Sequence, residues 1–355
     1  MTPRMPNQRS SSVTALALLA SAVAALLGGC AGPGEVPPVT TSGSLQLTPL
    51  GRLAFGGAEA RSVTMTDGLC FVGCGEAGVR IIDVTDPTAP ERLATIDDVR
   101  ADHVAWAEDQ LWILGVEDGM FGDTATLTVI DVIDPRLPGV RRTTTFPVGG
   151  EVALSAEGAS ACIAAGTDGA RVVTGRALVV ESADSVGDAD VGAALARRGM
   201  RIFHGRDGDQ QVVFIATNAE PDSSSGCAWV SDTVGPSDLA LCGDVLLVAN
   251  EQGVQLVDVV DATSPESMGT LPIAGARAIA ARGRYGVVAR RDESVVALDL
   301  TVADRPQLAA TVQTPGAAND VAILGDLIAV ADGDAGIALI VIAPAESAPA
   351  ATAGP

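Results

Sequence analysis

One phrase returns along the chain at a nearly constant interval, and no other feature limits the possible folds as sharply. It reads VRIIDVTDPTAPERLATI at 79–96, LTVIDVIDPRLPGVRRTTTF at 127–146 and VQLVDVVDATSPESMGTLPI at 254–273, with degenerate copies at 295–312 and 337–344. Ahead of most copies stand a short strand-like run, a tight turn and a second run, as in HVAWAEDQLWILGV at 103–116 and DVAILGDLIAVADGD at 320–334. One apolar position of the first run gives Val63, Val104, Val152, Ile202, Leu239, Ile279 and Val321, spaced by 41, 48, 50, 37, 40 and 42 residues. Each unit holds four β-rich runs separated by Gly, Asp and Pro turn signals. Four short strands per repeat of this length is the pattern of a β-propeller blade. A β-sandwich would not repeat one phrase at fixed spacing.

The expected fold is therefore all-β: a β-propeller over 45–344, best divided into seven four-stranded blades. Between Val152 and Leu239 the phrase is missing. That interval fits two degenerate blades or one blade with a long insertion, so six blades remain the alternative. The last unit stops at its third strand, IALIVIAP. LQLTPLGRLAFGG at 45–57 matches the fourth-strand stretch PERLATIDD of the first unit. The N-terminal strand is thus expected to serve as the outer strand of the last blade and close the ring without a free edge.

The residues Ile81-Ile82-Asp83-Val84, Val129-Ile130-Asp131-Val132, Leu256-Val257-Asp258-Val259 and Ala297-Leu298-Asp299-Leu300, with Asp86-Pro87 and Asp134-Pro135, resemble the LVIVD repeat of bacterial and archaeal envelope proteins. The resemblance covers roughly 45–343, weakly across 152–238. It implies a propeller displayed at a cell surface and supplies no catalytic residues. The motif's aspartates have a structural reading: a carboxylate at the end of a strand can accept backbone N–H bonds in the turn that follows.

The first thirty residues read as an address. Arg4 and Arg9 precede an apolar stretch from Val13 to Leu27, as in a secretory leader. Leu27-Gly28-Gly29-Cys30 resembles the lipobox of bacterial lipoproteins, which implies cleavage after residue 29 and lipidation of the Cys30 thiol. Residues 1–29 are then a signal peptide, and 30–44 a lipidated cysteine with a Pro/Gly/Ser/Thr-rich flexible tether. Residues 345–355 form a Pro/Ala-rich tail expected to be disordered. The expected location is the cell envelope, lipid-anchored, with Ala31 favouring the outer membrane by enterobacterial sorting; which face it occupies, periplasmic or surface, stays open.

The chain carries 22 basic and 44 acidic residues, all of the basic ones arginine, for a net charge of −22. Removing the leader takes away two arginines and no acid. That balance repels phosphate backbones and disfavours nucleic-acid binding. With only two histidines, His103 and His204, a His-rich zinc site is impossible, and no P-loop, G-x-S-x-G or dinucleotide fingerprint is present, so no cofactor is expected.

The residue after the apolar anchor is small in most units, as blades converging on an axis require. The two residues before the anchor should ring the channel mouth. They include Arg61, Asp102, His103, Glu151, Asp238, Arg277 and Asp320, with Arg201 in the irregular fourth unit. These are the candidate ligand site; strand-end turn chemistry and solvated charge are the plainer explanation. Beyond Cys30 five cysteines remain, and Cys227 with Cys242 is the candidate disulfide. The expected function is a monomeric, lipid-anchored, non-catalytic binding or scaffold module for an envelope protein or small polar ligand. The alternative is a metal-assisted hydrolase or lyase using the acidic mouth.

Overall fold

The computed structural model describes residues 44–345, apart from 121, 150–151, 166–169, 175–177, 183–193, 199–200, 206–211, 218–226, 231–235, 262–263 and 303–304. The leader, Cys30, the tether to residue 43, Glu151 and the tail from 346 lie outside that description.

The strands form seven four-stranded antiparallel sheets, each built from consecutive strands except the last. They are β2–β5 (Ser62–Thr66, Leu69–Gly73, Val79–Asp83, Glu91–Ile96), β6–β9 (His103–Ala107, Gln110–Glu117, Asp123–Asp131, Gly139–Val148), β10–β13 (Val152–Glu157, Ser160–Ala165, Ala170–Thr174, Val179–Ser182), β14–β17 (Ala194–Arg198, Arg201–Gly205, Val212–Thr217, Cys227–Val230), β18–β21 (Asp238–Cys242, Val245–Asn250, Gly253–Asp258, Glu266–Leu271) and β22–β25 (Ala276–Arg282, Tyr285–Arg290, Ser294–Asp299, Gln307–Gln313). The last sheet joins β26 (Asp320–Leu324), β27 (Leu327–Ala331) and β28 (Ile337–Pro344) to β1 (Leu45–Leu53). Five of these sheets are described together with their side chains. β10–β13 is so described in part, and β14–β17 by its backbone alone.

The apolar patterning follows from the radial arrangement. Middle strands are covered on both faces by neighbouring sheets, so they are buried along nearly their whole length, as in VLLVAN of β19. Outer strands such as β5 and β21 are largely solvent-facing until their final residue. The core is accordingly a set of clusters between adjacent sheets. Phe71, Ile81, Leu111 and Ile113 lie between the first two, and Val287, Val295, Ile328 and Ile340 between the last two. Phe71 and Trp106 stack across their junction, with ring centroids 4.9 Å apart.

The motif aspartates do what their position suggests. Asp83, Asp131, Asp258 and Asp299 each accept a bond from the backbone N–H two residues on, at 2.9, 3.2, 2.9 and 2.9 Å. Asp86 and Asp134 do the same one turn later.

Closure uses the N-terminal strand. β1 pairs with β28 from Leu45↔Pro344 to Leu53↔Ile337. Its register shift falls where four other outer strands have theirs: opposite Ile81/Ile82, Val129/Ile130, Leu256/Val257 and Ala297/Leu298, one extra residue sits in the outer strand. In β1 the extra residue is Leu50. A tight approach repeats as well. Gly78 lies beneath the Ile96 carbonyl, where a Cβ would come within 1.8 Å of the oxygen. Gly336 lies beneath the Leu53 carbonyl, at 2.2 Å. Both have φ in the left-handed region, +77° and +86°. β1 therefore occupies the fourth-strand place in full geometric detail.

The fourth unit is corrected by the structure. Arg201–Gly205 is the second strand of its sheet, β15, and the first strand is β14 at 194–198. Ile202 is thus not the anchor and Arg201 does not precede one. The first-strand position matching Val104 or Leu239 is Leu195, and the residue after it is Ala196, as small as its counterparts.

The closing contact is testable. Gly336→Ala should cost on the order of 2 kcal/mol or more, from left-handed strain plus the clash with the Leu53 carbonyl. Gly325→Ala, also at positive φ (+61°) but with open space around it, should cost about 1 kcal/mol or less. Equal losses in urea melts of the two variants would mean that β1 is not pressed onto that glycine.

Candidate functional site

First strands begin at the channel mouth, so the residues just before each anchor meet there. Arg61, Asp102, His103, Asp238, Arg277 and Asp320, contributed by five sheets, line a single cavity of about 1120 Å³. Glu151, the seventh residue expected there, lies outside the described residues. The structure adds others that the sequence did not single out, notably Arg100, Asp118, Asp123, Glu251 and Arg291. Asp118 and Asp123 are there because β7 and β8 pair over eight positions, against five or six in the equivalent pairs. This hairpin overhangs the opening, with Met120 fully displayed at its tip.

The acids at the mouth divide into two kinds. Asp238 and Asp320 are spent on the backbone. The Ile279 N–H, from the next sheet, donates to Asp238 Oδ2 at 2.7 Å, and the Leu239 N–H donates to Oδ1 at 2.8 Å. Asp320 is bonded identically by Val63 of the first sheet and by Val321, both at 2.8 Å. Ser62 plays the same part toward the Val104 N–H at 3.2 Å. The inner edge of a first strand has no ladder partner, and these side chains supply one. The two aspartates touch the cavity yet are ringed by protein. Burial, and then the charge of Asp320, push the Asp238 carboxyl up to about 8. Burial also raises Asp320, although the Val63 and Val321 N–H groups oppose it.

Asp102 is different. Burial would raise it, but bonds from Arg100 and the Val116 N–H, and then from Arg61, hold it below the usual carboxylate range. Arg61 Nη1 and Arg100 Nε lie 2.9 and 2.7 Å from its two oxygens. Arg61 also reaches Glu59 at 3.2 Å, and Arg291 pairs with Glu251. His103 is crowded by protein, and burial lowers its pKa, which favours the neutral imidazole. Arg277 is exposed to the cavity and makes no hydrogen bond or ion pair among the described residues. Burial of its surroundings and the neighbouring Arg291 both disfavour its charge.

Among the described residues no group of three His, Cys, Asp or Glu side chains could hold a metal ion. Each bonded acid is committed to an arginine or to peptide N–H groups. Of the expected disulfide partners Cys227 and Cys242, only Cys242 has a described side chain. Cys242 is a free thiol, and its Sγ donates to the Gly283 carbonyl of the following sheet at 3.1 Å, away from β17. The Cys227 side chain lies outside the described residues.

The junction acids make a pH prediction. A carboxyl whose folded pKa is raised binds its proton more tightly folded than unfolded. Its contribution is therefore complete below the ordinary Asp range and is lost as pH climbs toward 8. The melting temperature should fall from pH 5 to pH 8, and Asp238→Asn should fall less over the same window while starting lower. Its amide cannot accept both N–H bonds, a loss of about 1–2 kcal/mol. Parallel curves for the two proteins would rule out Asp238 as the titrating group.

The LVIVD repeat pattern matches the chain at residues 57–98 and 315–352, the units that meet where the ring closes. No curated protein sequence matches it. Among solved structures, the WD40 β-propeller domain of Doa1 superposes with a TM-score of 0.65 at 14% identity, covering 83% of this chain and 96% of that one. The RRP9 WD40 repeats give 0.61 at 11%, covering 86% and 99%. The computationally designed Ika8 protein gives 0.58 at 10%, covering 83% and 99%. Likeness at such identity is one of fold. Sheet topology and these matches agree that the chain is a β-propeller, two of whose units match the LVIVD repeat.

Proposed function

We propose that the protein is a lipid-anchored cell-envelope propeller of seven blades whose central cavity binds a small polar ligand bearing a carboxylate or similar anion, without performing chemistry on it. Arg277 carries the reading. It faces a cavity large enough for a drug-sized molecule and is unpaired among the described residues, while Arg61, Arg100 and Arg291 are matched by carboxylates. A guanidinium with no direct ion pair among the described residues and a second arginine beside it, with Glu59 and Asp320 at longer range, favours a planar anion that it can grip with two bonds. Neutral His103 offers an uncharged hydrogen-bond partner along the same wall. Arginine–carboxylate pairs around the rim suit recognition better than acid–base catalysis, which needs an uncommitted carboxyl or imidazole. Seven blades are supported by the seven four-stranded sheets, and the anchor by the Leu27–Cys30 run.

Two measurements test this. In a thermal-shift series with succinate, glutamate and galacturonate, at least one should raise the melting temperature of the wild type through binding to the folded state. Arg277→Ala should melt normally alone and lose that rise; a rise of equal size in both would place the ligand elsewhere. In a bacterium with lipoprotein machinery, the wild type should incorporate a palmitate analogue and Cys30→Ala should not. Equal labelling would remove the anchor.

A further inference from the structure

We propose that the face of the propeller opposite the cavity rests on the lipid surface, so that the cavity opens away from the membrane; this builds on the lipid anchor proposed above. Strand direction fixes which loops share that face. First strands start at the mouth and third strands run the same way, so the third strands end on the far side, at Asp83, Asp131, Asp258 and Asp299. The turns after them hold Ile133, Leu137, Val260 and Val302, exposed by 83, 79, 63 and 53%. The one other large hydrophobic of comparable exposure among the described residues is Met120, on the cavity side. Exposed aliphatics are thus concentrated on the far face, at the tips of turns that follow the same strand position.

The entry of the chain points the same way. β1 runs antiparallel to β28, and Leu45 lies opposite Pro344, so the chain enters the last sheet from the far face. Ser44 is fastened there. Its hydroxyl donates to Asp299 Oδ2 at 3.0 Å, and its carbonyl accepts from the Ala345 N–H at 2.9 Å. Fourteen positions separate Ser44 from Cys30. By its Pro/Gly/Ser composition a segment of that length is expected to span only about 20 Å on average. A lipid on Cys30 would keep the far face next to the bilayer, where aliphatic turn tips gain by leaving water. The same turns carry several aspartates, so the face should favour zwitterionic over anionic lipid.

The test uses the mature chain from residue 30, lipidated at Cys30, on vesicles of phosphatidylcholine containing brominated chains that quench tryptophan. Ile133→Trp and Leu137→Trp should each lose most of the emission their substitution adds, and Met120→Trp should lose almost none. Replacing half of the lipid with phosphatidylglycerol should weaken the quenching of the first two. In a second arm the same chain, unlipidated, is held by an N-terminal hexahistidine on vesicles with nickel-chelating lipid. If lipidation at Cys30 fails but this arm shows the pattern, the face is upheld and only the anchor reading falls. Absence of added quenching for Ile133→Trp and Leu137→Trp in this arm, or stronger quenching for Met120→Trp, overturns the orientation.

Discussion

The propeller depends on how its first strands meet around the axis. Each has one edge paired with its own sheet and one edge turned to the channel, where peptide N–H groups have no ladder. Asp320 and Asp238 solve this by reaching across to the anchor N–H of the next sheet, and Ser62 does so with a hydroxyl. The small residues beside the anchors, Ala105, Ala240, Ala280 and Ala322, let the strands come close enough for that reach. Convergence and hydrogen bonding are thus one requirement. It also sets the chemistry of the cavity, because the carboxylates that bind backbone are withdrawn from ligand or metal, while the arginine with no such duty, Arg277, is left facing the opening.

Around the axis the apolar contacts are made between neighbours, sheet against sheet, with no common centre. Such a ring is as sound as its weakest junction. The junction made by β1 joins the two ends of the chain and closes the longest loop of all, a connection whose entropic cost is met only once the rest of the ring is in place. Its fidelity to the other outer strands, down to the extra residue and the glycine beneath Leu53, shows that it is held to the same tolerance.

Much of this was legible from residues alone. The IDV-DP phrase located strands and turns because its aspartates do one local job, and local jobs leave local signatures. The position of the mouth followed from periodicity. Its chemistry did not, because whether Asp238 faces a ligand or the Ile279 N–H depends on a strand forty residues away. The fourth unit was misread because Arg201-Ile202-Phe203 imitates a polar lead and apolar anchor, while the true first strand, ALARR, ends in two arginines. The small residue after the anchor, Ala196, was the available signal. The length of the β7–β8 hairpin was not legible, because the repeated phrases stop at 116 and resume at 127.

The extra residue found in five of the seven outer strands has a consequence beyond the single molecule. An outer strand is the one place where a sheet could accept a strand from another copy, and zipping of that kind requires an unbroken register of N–H and C=O groups. Leu93, Arg141, Met268, Ala309 and Leu50 each interrupt that register and increase the local twist. At those five sheets a second copy would find no straight edge on which to seed a shared sheet, whereas β13 and β17 pair in unbroken register. Five of the seven outer edges are thus built against strand-by-strand growth between copies.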